Sequence, residues 1–266
     1  MKERIDKILT DKGFAETKSK AQGLILAGHV KVNGEKITKA SQSFDTAKEL
    51  NIEVISLPFV SRGGLKLDKA VKAFEINLKD KICLDAGAST GGFTDCMLQN
   101  GAKKVYAVDV GYGQIAWKIR QDERVKTIER TNIKNCALLE VFDTEEEEKC
   151  DFCAMDLSFI SVTKVLGNIK NFLKPDFEIV TLIKPQFEAG REFIEKKGVV
   201  KDKSVHTAVI KKVIDFASSI GMNAQKLTFS PITGPAGNIE YLVYLTPAPL
   251  VIDEEKILEV VSTVDL

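Results

Sequence analysis

Lys81-Ile82-Cys83-Leu84-Asp85-Ala86-Gly87-Ala88-Ser89-Thr90-Gly91-Gly92-Phe93-Thr94 is the stretch on which the fold turns. An apolar run ends in an acid, passes through small residues and meets two glycines before what reads as a helix start. Such a run is the pattern of a buried parallel strand, and it leads to a helix whose first backbone N–H groups have no partner within the helix. A ligand is therefore expected over the turn. The turn is too acidic and too rich in hydroxyls for a phosphate cradle. A dinucleotide fingerprint requires G-x-G-x-x-G, whereas Gly87 is followed by Ala88, Ser89, Thr90 and Gly91. A phosphate loop would end in Gly-Lys-Ser/Thr, and this stretch does not.

Strand and helix patterns alternate from residue 81 onward, as in a doubly wound, Rossmann-like α/β sheet. The strands are read at 81–85, 104–109, 125–128, 151–155 and 178–183, and Asp85, Asp109, Asp156 and Lys184 stand at or just past the ends of four of them. Ligands of open parallel sheets sit at those carboxyl ends. Asp109, about 20 residues past the glycine turn, is placed to accept both hydroxyls of a ribose. Asn132, after Arg130-Thr131, is placed for an adenine edge. Trp117 reads as packing on the helix after Asp109. Cys150 and Cys153 form a CxxC inside a strand pattern with no second pair or nearby histidines, so core packing is expected and no metal. The helix after Asp156-Leu157-Ser158-Phe159 is expected to end near Lys174-Pro175, and the polar stretch 185–204 is long enough for a lid. Glu145 to Glu148 reads as a solvated loop.

With 266 residues the chain has room for one large domain and a small one. Lys plus Arg and Asp plus Glu both number 38, so any nucleic-acid surface must be local. No apolar run approaches the roughly 20 residues of a membrane-spanning helix, and the charged start (Lys2, Glu3, Arg4, Asp6, Lys7) is not a signal peptide. Five cysteines without such a signal suggest reduced thiols and a cytoplasmic protein.

Residues 1–58 read as a small α+β module. Ile5, Ile8 and Leu9 have helical spacing before Gly13, and a second helix runs from Thr17 to Gly28. Val30-Lys31-Val32-Asn33-Gly34 is a strand entering a tight hairpin, with further strands at Ile37 and 52–55. Arg4 and Asp6, Thr17-Lys18 with Ala21, Leu24-Ile25 and Gly28-His29-Val30-x-Val32-Asn33-Gly34 resemble the ribosomal S-four-type RNA-binding domain. That resemblance implies contacts to structured RNA from Arg4, Lys12, Lys18, Lys20, Lys31, Lys36 and Lys39, chiefly to phosphates, and Arg62 is expected to contact RNA as well. Residues 56–62, including Pro58 and Arg62, are read as the linker to a domain at 59–266.

Asp85-x-Gly-x-Ser-x-Gly-Gly resembles the first motif of Rossmann-type methyltransferases, which bind S-adenosylmethionine (SAM). The stretch after the fourth strand bears on the methyl acceptor. Amino-nitrogen methylation would want Asp/Asn-Pro-Pro-Tyr/Phe, whereas Asp156-Leu157-Ser158-Phe159 stands there, and no cysteine follows a proline as a cytosine-carbon nucleophile would. A ribose 2′-hydroxyl must instead lose a proton as it attacks, and one of two neighbouring lysines oriented by carboxylates can take it.

Lys66, Asp156, Lys184 and Glu240 match the Lys-Asp-Lys-Glu tetrad of FtsJ-type 2′-O-methyltransferases. Together with Ser61-Arg62-Gly63-Gly64-x-Lys66-Leu67, Gly87–Asp95, Asp156–Ser161 and Lys184-Pro185-Gln186-Phe187-Glu188, they make the chain resemble the TlyA (haemolysin A) family over nearly its whole length. The resemblance implies 2′-O-methylation of cytidine in ribosomal RNA of the large subunit, and in some members of the small subunit. It assigns Lys184 as general base, Lys66 and Asp156 as its tuners and Glu240 as the anchor of Lys66. It places SAM on Asp85, Gly87, Ser89, Thr90, Gly91, Gly92, Phe93, Thr94, Asp109, Asn132 and Asp156. Three other readings stay open: a membrane-lytic protein, a non-catalytic ribosome binder with a vestigial SAM fold, and a nicotinamide enzyme, the last disfavoured by the glycine spacing.

Overall fold

A computed structural model describes residues 2–15, 17–26, 28–54, 58–144, 148–195 and 198–264. The chain divides into two compact units, Met1–Leu57 and Pro58–Leu266.

In the first unit, β1 (Lys2–Arg4) leads into α1 (Ile5–Asp11) and α2 (Lys18–Leu26), followed by β2 (Val30–Val32), β3 (Glu35–Lys36), β4 (Ser43–Asp45) and β5 (Ile52–Val54). Ile5, Ile8, Leu9, Ala21, Ile25, Val30, Val32 and Ile37 form its core. Asn33 and Gly34 both take left-handed backbone angles (φ 53 and 82), which the tight β2–β3 turn requires. β2 is central in a β3-β2-β5 sheet, and β1 pairs antiparallel with β4. The β1–β4 pair has no sequence pattern to announce it, because Lys-Glu-Arg lacks alternation. Ile37 falls just past β3 and still donates its N–H to Val30 at 2.9 Å. Ile55 and the first linker residues Ser56 and Leu57 lie outside the described residues, as do Glu145, Glu146 and Glu147 of the acidic loop.

The second unit opens with α3 (Gly63–Phe74), β6 (Ile82–Ala86), α4 (Gly92–Gln99), β7 (Lys104–Val108), α5 (Trp117–Arg120), β8 (Val125–Ile128), α6 (Leu138–Val141), β9 (Cys150–Met155) and α7 (Thr163–Ile169). It continues with β10 (Leu173–Ile183), α8 (Pro185–Glu188), α9 (Lys203–Ser219), β11 (Asn223–Phe229), β12 (Tyr241–Thr246) and α10 (Glu254–Ser262). The strands form one sheet in the order β11-β12-β10-β9-β6-β7-β8. β8, β7, β6, β9 and β10 are parallel, whereas β12 runs antiparallel to both its neighbours. Successive strand residues face opposite layers. Cys83 and Phe152 pack with Leu67, Phe74 and Met97, while Leu84 and Cys153 pack with Leu166, Val209 and Val213. The strand order reverses at β6/β9, the switch point where ligands of such sheets bind.

Three expectations are corrected. Trp117 does not pack: it is 74 % exposed, because Ile115 and Ile119 turn inward and place it on the opposite face of the short α5. The helix after Phe159 ends at Ile169 with a 3₁₀ turn to Phe172, so Lys174 and Pro175 belong to β10. Pro175 is tolerated there because the β9–β10 register shifts between Leu173 and Glu178. Residues 185–204 do not form one open lid, since Pro185–Glu188 are helical and Glu188 and Val200 are buried. Cys150 and Cys153 lie in β9 within the core, as expected, and burial pushes the Cys153 thiol up.

Candidate active site

Four elements deliver one cluster. Lys66 projects from the first turns of α3, Asp156 follows β9, Lys184 follows β10, and Glu240 precedes β12. The Lys66 Nζ lies 3.0 Å from Asp156 Oδ2 and 2.7 Å from Glu240 Oε2, and Lys184 Nζ lies 2.5 Å from Asp156 Oδ1. Lys184 also donates to Ser158 Oγ at 3.0 Å. Glu240 is 2 % exposed, and both lysines are nearly buried. Burial alone would push the Lys66 ammonium down, but Asp156 and Glu240 outweigh it and hold the group above the ordinary lysine range. Burial would raise Asp156 in the same way, and Lys184 and Lys66 reverse that, leaving its carboxyl below the usual range. The cluster is thus a buried run of alternating charge, Glu240–Lys66–Asp156–Lys184, with Lys184 at its end.

The glycine turn borders this cluster. Gly87 (φ 90) and Gly91 (φ 89) are left-handed, and a Cβ on Gly87 would stand 2.8 Å from the Asp156 carbonyl oxygen. The turn separates two cavities that share Gly87, Ser89, Asp156, Ser158 and Phe159. One, of about 480 Å³, holds Lys66, Lys184 and Glu240 together with Arg62, Thr90, Gly92 and Phe93. The other, of about 540 Å³, holds Asp109, Val110, Gln114 and Asn132. Asp109 accepts the Ser89 N–H at 2.8 Å and the Gly111 N–H at 2.6 Å, which fixes its carboxylate at the cavity wall.

Asp85 and Thr94 stand behind the turn, fully buried, with the Thr94 hydroxyl donating to Asp85 Oδ2 at 2.6 Å. Burial pushes the Asp85 carboxyl up to about 7, and among the described residues its Oδ1 has no hydrogen-bond partner. A groove of about 640 Å³ beside β11 and α10 contains none of these residues. Among the described residues no group of three or more His, Cys, Asp or Glu side chains is arranged to hold a metal, and no helix is long and apolar enough to cross a membrane.

Phe159 was not singled out by the sequence. It is 91 % exposed at a left-handed backbone position (φ 63), and its ring lies 5.1 Å from that of Phe187. Both rings line the lysine-bearing cavity. An aromatic residue in the segment Asp156–Ser161, directly after a strand that delivers a site residue, was the available signal.

In the first unit, Lys12, Lys18, Lys20, Lys36 and Lys39 are exposed and Lys31 is half-buried on β2. Arg4 differs from them. Its guanidinium donates to both carboxylate oxygens of the fully buried Asp6, at 3.0 and 2.7 Å, and holds that carboxyl down at about 2.

Residues 59–246 match the FtsJ-like methyltransferase model, and residues 3–46 match the S4 domain. The chain belongs to the FtsJ-like methyltransferase family. It is 48 % identical over 92 % of its length, and 85 % of the relative's, to a Bacillus subtilis protein provisionally named rRNA methyltransferase YqxC. It is 38 % identical to the 16S/23S rRNA (cytidine-2′-O)-methyltransferase TlyA of Mycobacterium tuberculosis, over 91 % of this chain and 89 % of that one. A solved structure from Streptococcus thermophilus that carries a provisional hemolysin name superposes with a TM-score of 0.77 at 43 % identity, covering 98 % of this chain and 94 % of that one.

Proposed function

We propose that this methyltransferase moves a methyl group from SAM to the 2′-oxygen of cytidine in ribosomal RNA, with Lys184 as the general base. The observation that carries the reading is the single file of charge from Glu240 to Lys184 beside the glycine turn. The rRNA (cytidine-2′-O)-methyltransferase name of the TlyA relative supports the choice of acceptor.

The residues fit the donor. Gly87 leaves room at the turn that a Cβ would fill, Asp109 and Asn132 share one cavity, and the buried Asp85 Oδ1 has no donor among the described residues. On this reading Asp109 takes the ribose hydroxyls, Asn132 the adenine edge, and Asp85 lies behind the amino-acid end. Bound SAM supplies a methyl carbon made electrophilic by its attached positive sulfur. The chain's own work is to orient the acceptor hydroxyl and take its proton. Lys66, held by two carboxylates, stays an ammonium. Lys184 shares one carboxylate, donates to a neutral hydroxyl and lies over the Phe187 ring. Of the two lysines it is the one that Glu240 does not depend on for its partner, so the role of base is assigned to it. Lys184 Nζ would take the hydroxyl proton as the oxygen attacks the methyl carbon, whose bond to sulfur would break in the same step.

The exposed lysines of the first unit would hold RNA phosphates, with residues 1–58 as the RNA-binding domain and 59–266 as the catalytic one, working in the cytoplasm on ribosomal subunits. The test is transfer of labelled methyl to separated ribosomal subunits, followed by mapping of the blocked nucleotide. Lys184→Ala should bind SAM and transfer nothing. Full transfer by that variant would remove Lys184 from its role, and methyl recovered on a base instead of a ribose would overturn the acceptor. The hemolysin names of relatives leave a lytic reading, which lysis by a transfer-inactive variant would support.

A further inference from the structure

Glu188 is a buried carboxylate that the transfer step does not use. It is 6 % exposed and lies at the end of α8, four residues past Lys184. Its Oε2 accepts the Ser161 hydroxyl and its Oε1 the Val162 backbone N–H, each at 2.6 Å. Burying a carboxylate is costly unless it is hydrogen-bonded, and these two bonds supply that compensation. They do so across two different loops. Ser161 and Val162 close the loop that leaves β9 with Asp156, Ser158 and Phe159, while Glu188 closes the segment that leaves β10 with Lys184 and Phe187.

The two segments are therefore joined twice. The inner tie is Lys184 to Asp156 and Ser158, and the outer tie is Glu188 to Ser161 and Val162. Phe159 lies between the ties on the first segment and meets Phe187, which lies between them on the second. A 91 % exposed aromatic ring at φ 63 gains little from solvent and carries backbone strain, so something must hold it. The outer tie adds a polar anchor at the α7 end of Ser158–Ser161, where Ile160 and Val162 already pack on the core. α9 reinforces the tie from behind, since Lys212 Nζ donates to the Glu188 carbonyl oxygen at 3.0 Å.

We infer that Glu188 is a positioning residue for methyl transfer: it locks the Asp156–Val162 loop to the Lys184–Glu188 segment and so fixes Phe159 and Ser158 against Phe187 and Lys184 when RNA docks. The inference rests on the proposed reaction, and wild-type transfer to ribosomal RNA is the control that separates the two. A wild type that binds SAM but methylates no ribose would defeat the proposed reaction and leave nothing for Glu188 to position.

The experiment compares Glu188→Ala, Glu188→Gln and Ser161→Ala in the full chain, reading kcat and KM for RNA, SAM affinity, and Tm to correct for folded fraction. Glu188→Gln keeps an acceptor for Val162 N–H, and its amide can donate to the Ser161 oxygen, so activity within about threefold of wild type is expected. Glu188→Ala should lower kcat per folded molecule about 10- to 100-fold and raise KM for RNA, with SAM affinity unchanged. In a Phe159→Ala background the same change should cost much less, because the two act through one arrangement. Activity of Glu188→Ala that falls only in proportion to folded protein, or effects of Glu188→Ala and Phe159→Ala that simply multiply, would overturn the inference. If Glu188→Ala does not fold, Ser161→Ala, with a smaller loss of kcat that is likewise coupled to Phe159, decides in its place.

Discussion

Lys66 and Lys184 look interchangeable by residue type, yet their surroundings predict different consequences when each is removed. Among the described residues Lys66 is the one cation paired with Glu240, which is 2 % exposed, and it also holds one oxygen of Asp156. Lys66→Met strips Glu240 of its partner and leaves a buried carboxylate uncompensated, a change that costs about 3–5 kcal/mol. Lys184→Met leaves Asp156 still paired to Lys66 at 3.0 Å and Glu240 untouched, so about 1 kcal/mol is expected. In a unit of roughly 200 residues each kcal/mol moves Tm by about 2–4 °C, so Lys66→Met should lower Tm by roughly 6–20 °C and Lys184→Met by about 2–4 °C.

Activity should not follow that order. Loss of the base in Lys184→Met should cost about 10²- to 10⁴-fold in kcat while SAM still binds. The assays are differential scanning calorimetry, titration calorimetry with SAM, and labelled methyl transfer. Adding Glu240→Gln to Lys66→Met removes the stranded charge and should return at least half of the lost stability. Equal Tm losses for the two lysines, or no recovery in the double variant, would refute the asymmetric charge arrangement from which the base was chosen.

Three further outcomes follow from other parts of the site. Asp85 is raised to about 7 in the fold against about 4 when unfolded, so its burial erodes stability as pH climbs from about 4 to about 7 and keeps that penalty above. Asp85→Asn should therefore stabilise at pH 8 by up to about 4 kcal/mol in denaturant melts, with the gain shrinking toward pH 4; a less stable variant at pH 8 would sink the argument. Phe159→Ala removes an exposed ring and should weaken RNA-dependent kcat/KM by about 1–3 kcal/mol, the usual range for a base-stacking aromatic, with the SAM affinity measured by calorimetry unaltered. The five cysteines are all buried, with the Cys136 thiol pushed up to about 11 and Cys96 to about 12 by burial, so a thiol reagent should react with native protein only as fast as it opens.

The proposed donor half of the site was legible in the residues themselves. A strand that carries Asp85 near its end, a turn of small residues and a second strand that ends before Asp109 form a local pattern, and local patterns survive without the fold. The acceptor half was not. Lys66 and Glu240 are 174 residues apart in the chain, and nothing near either one announces the other; only the family tetrad linked them. Exposure was the least legible quantity. Phe159 and Trp117 both read as ordinary apolar residues, but a left-handed backbone turns one outward, and the inward faces of Ile115 and Ile119 turn out the other. Arg4, expected at the RNA, is engaged by the buried Asp6 two residues on while its side chain stays 47 % exposed.

The reversed strand explains how so distant a residue as Glu240 reaches the cluster. Parallel strands bring only their carboxyl ends to the ligand edge, which is how Asp156 and Lys184 arrive. An antiparallel strand inserted among them brings its amino end to the same edge. β12 does this: Tyr241 pairs with Ile183, so the residue before β12 comes to the edge that Lys184 occupies after β10. The Tyr241 hydroxyl is within 2.8 Å of His206 Nδ1, whose Nε2 lies 2.9 Å from the Val200 carbonyl, and Ser230 donates its N–H to the Glu240 carbonyl at 2.8 Å. The anchor of Lys66 is therefore held by the β11–β12 pair and by α9, elements absent from the lining of the Asp109 cavity. The two halves of the site rest on different parts of one sheet and meet at Asp156, which borders both cavities and touches both lysines.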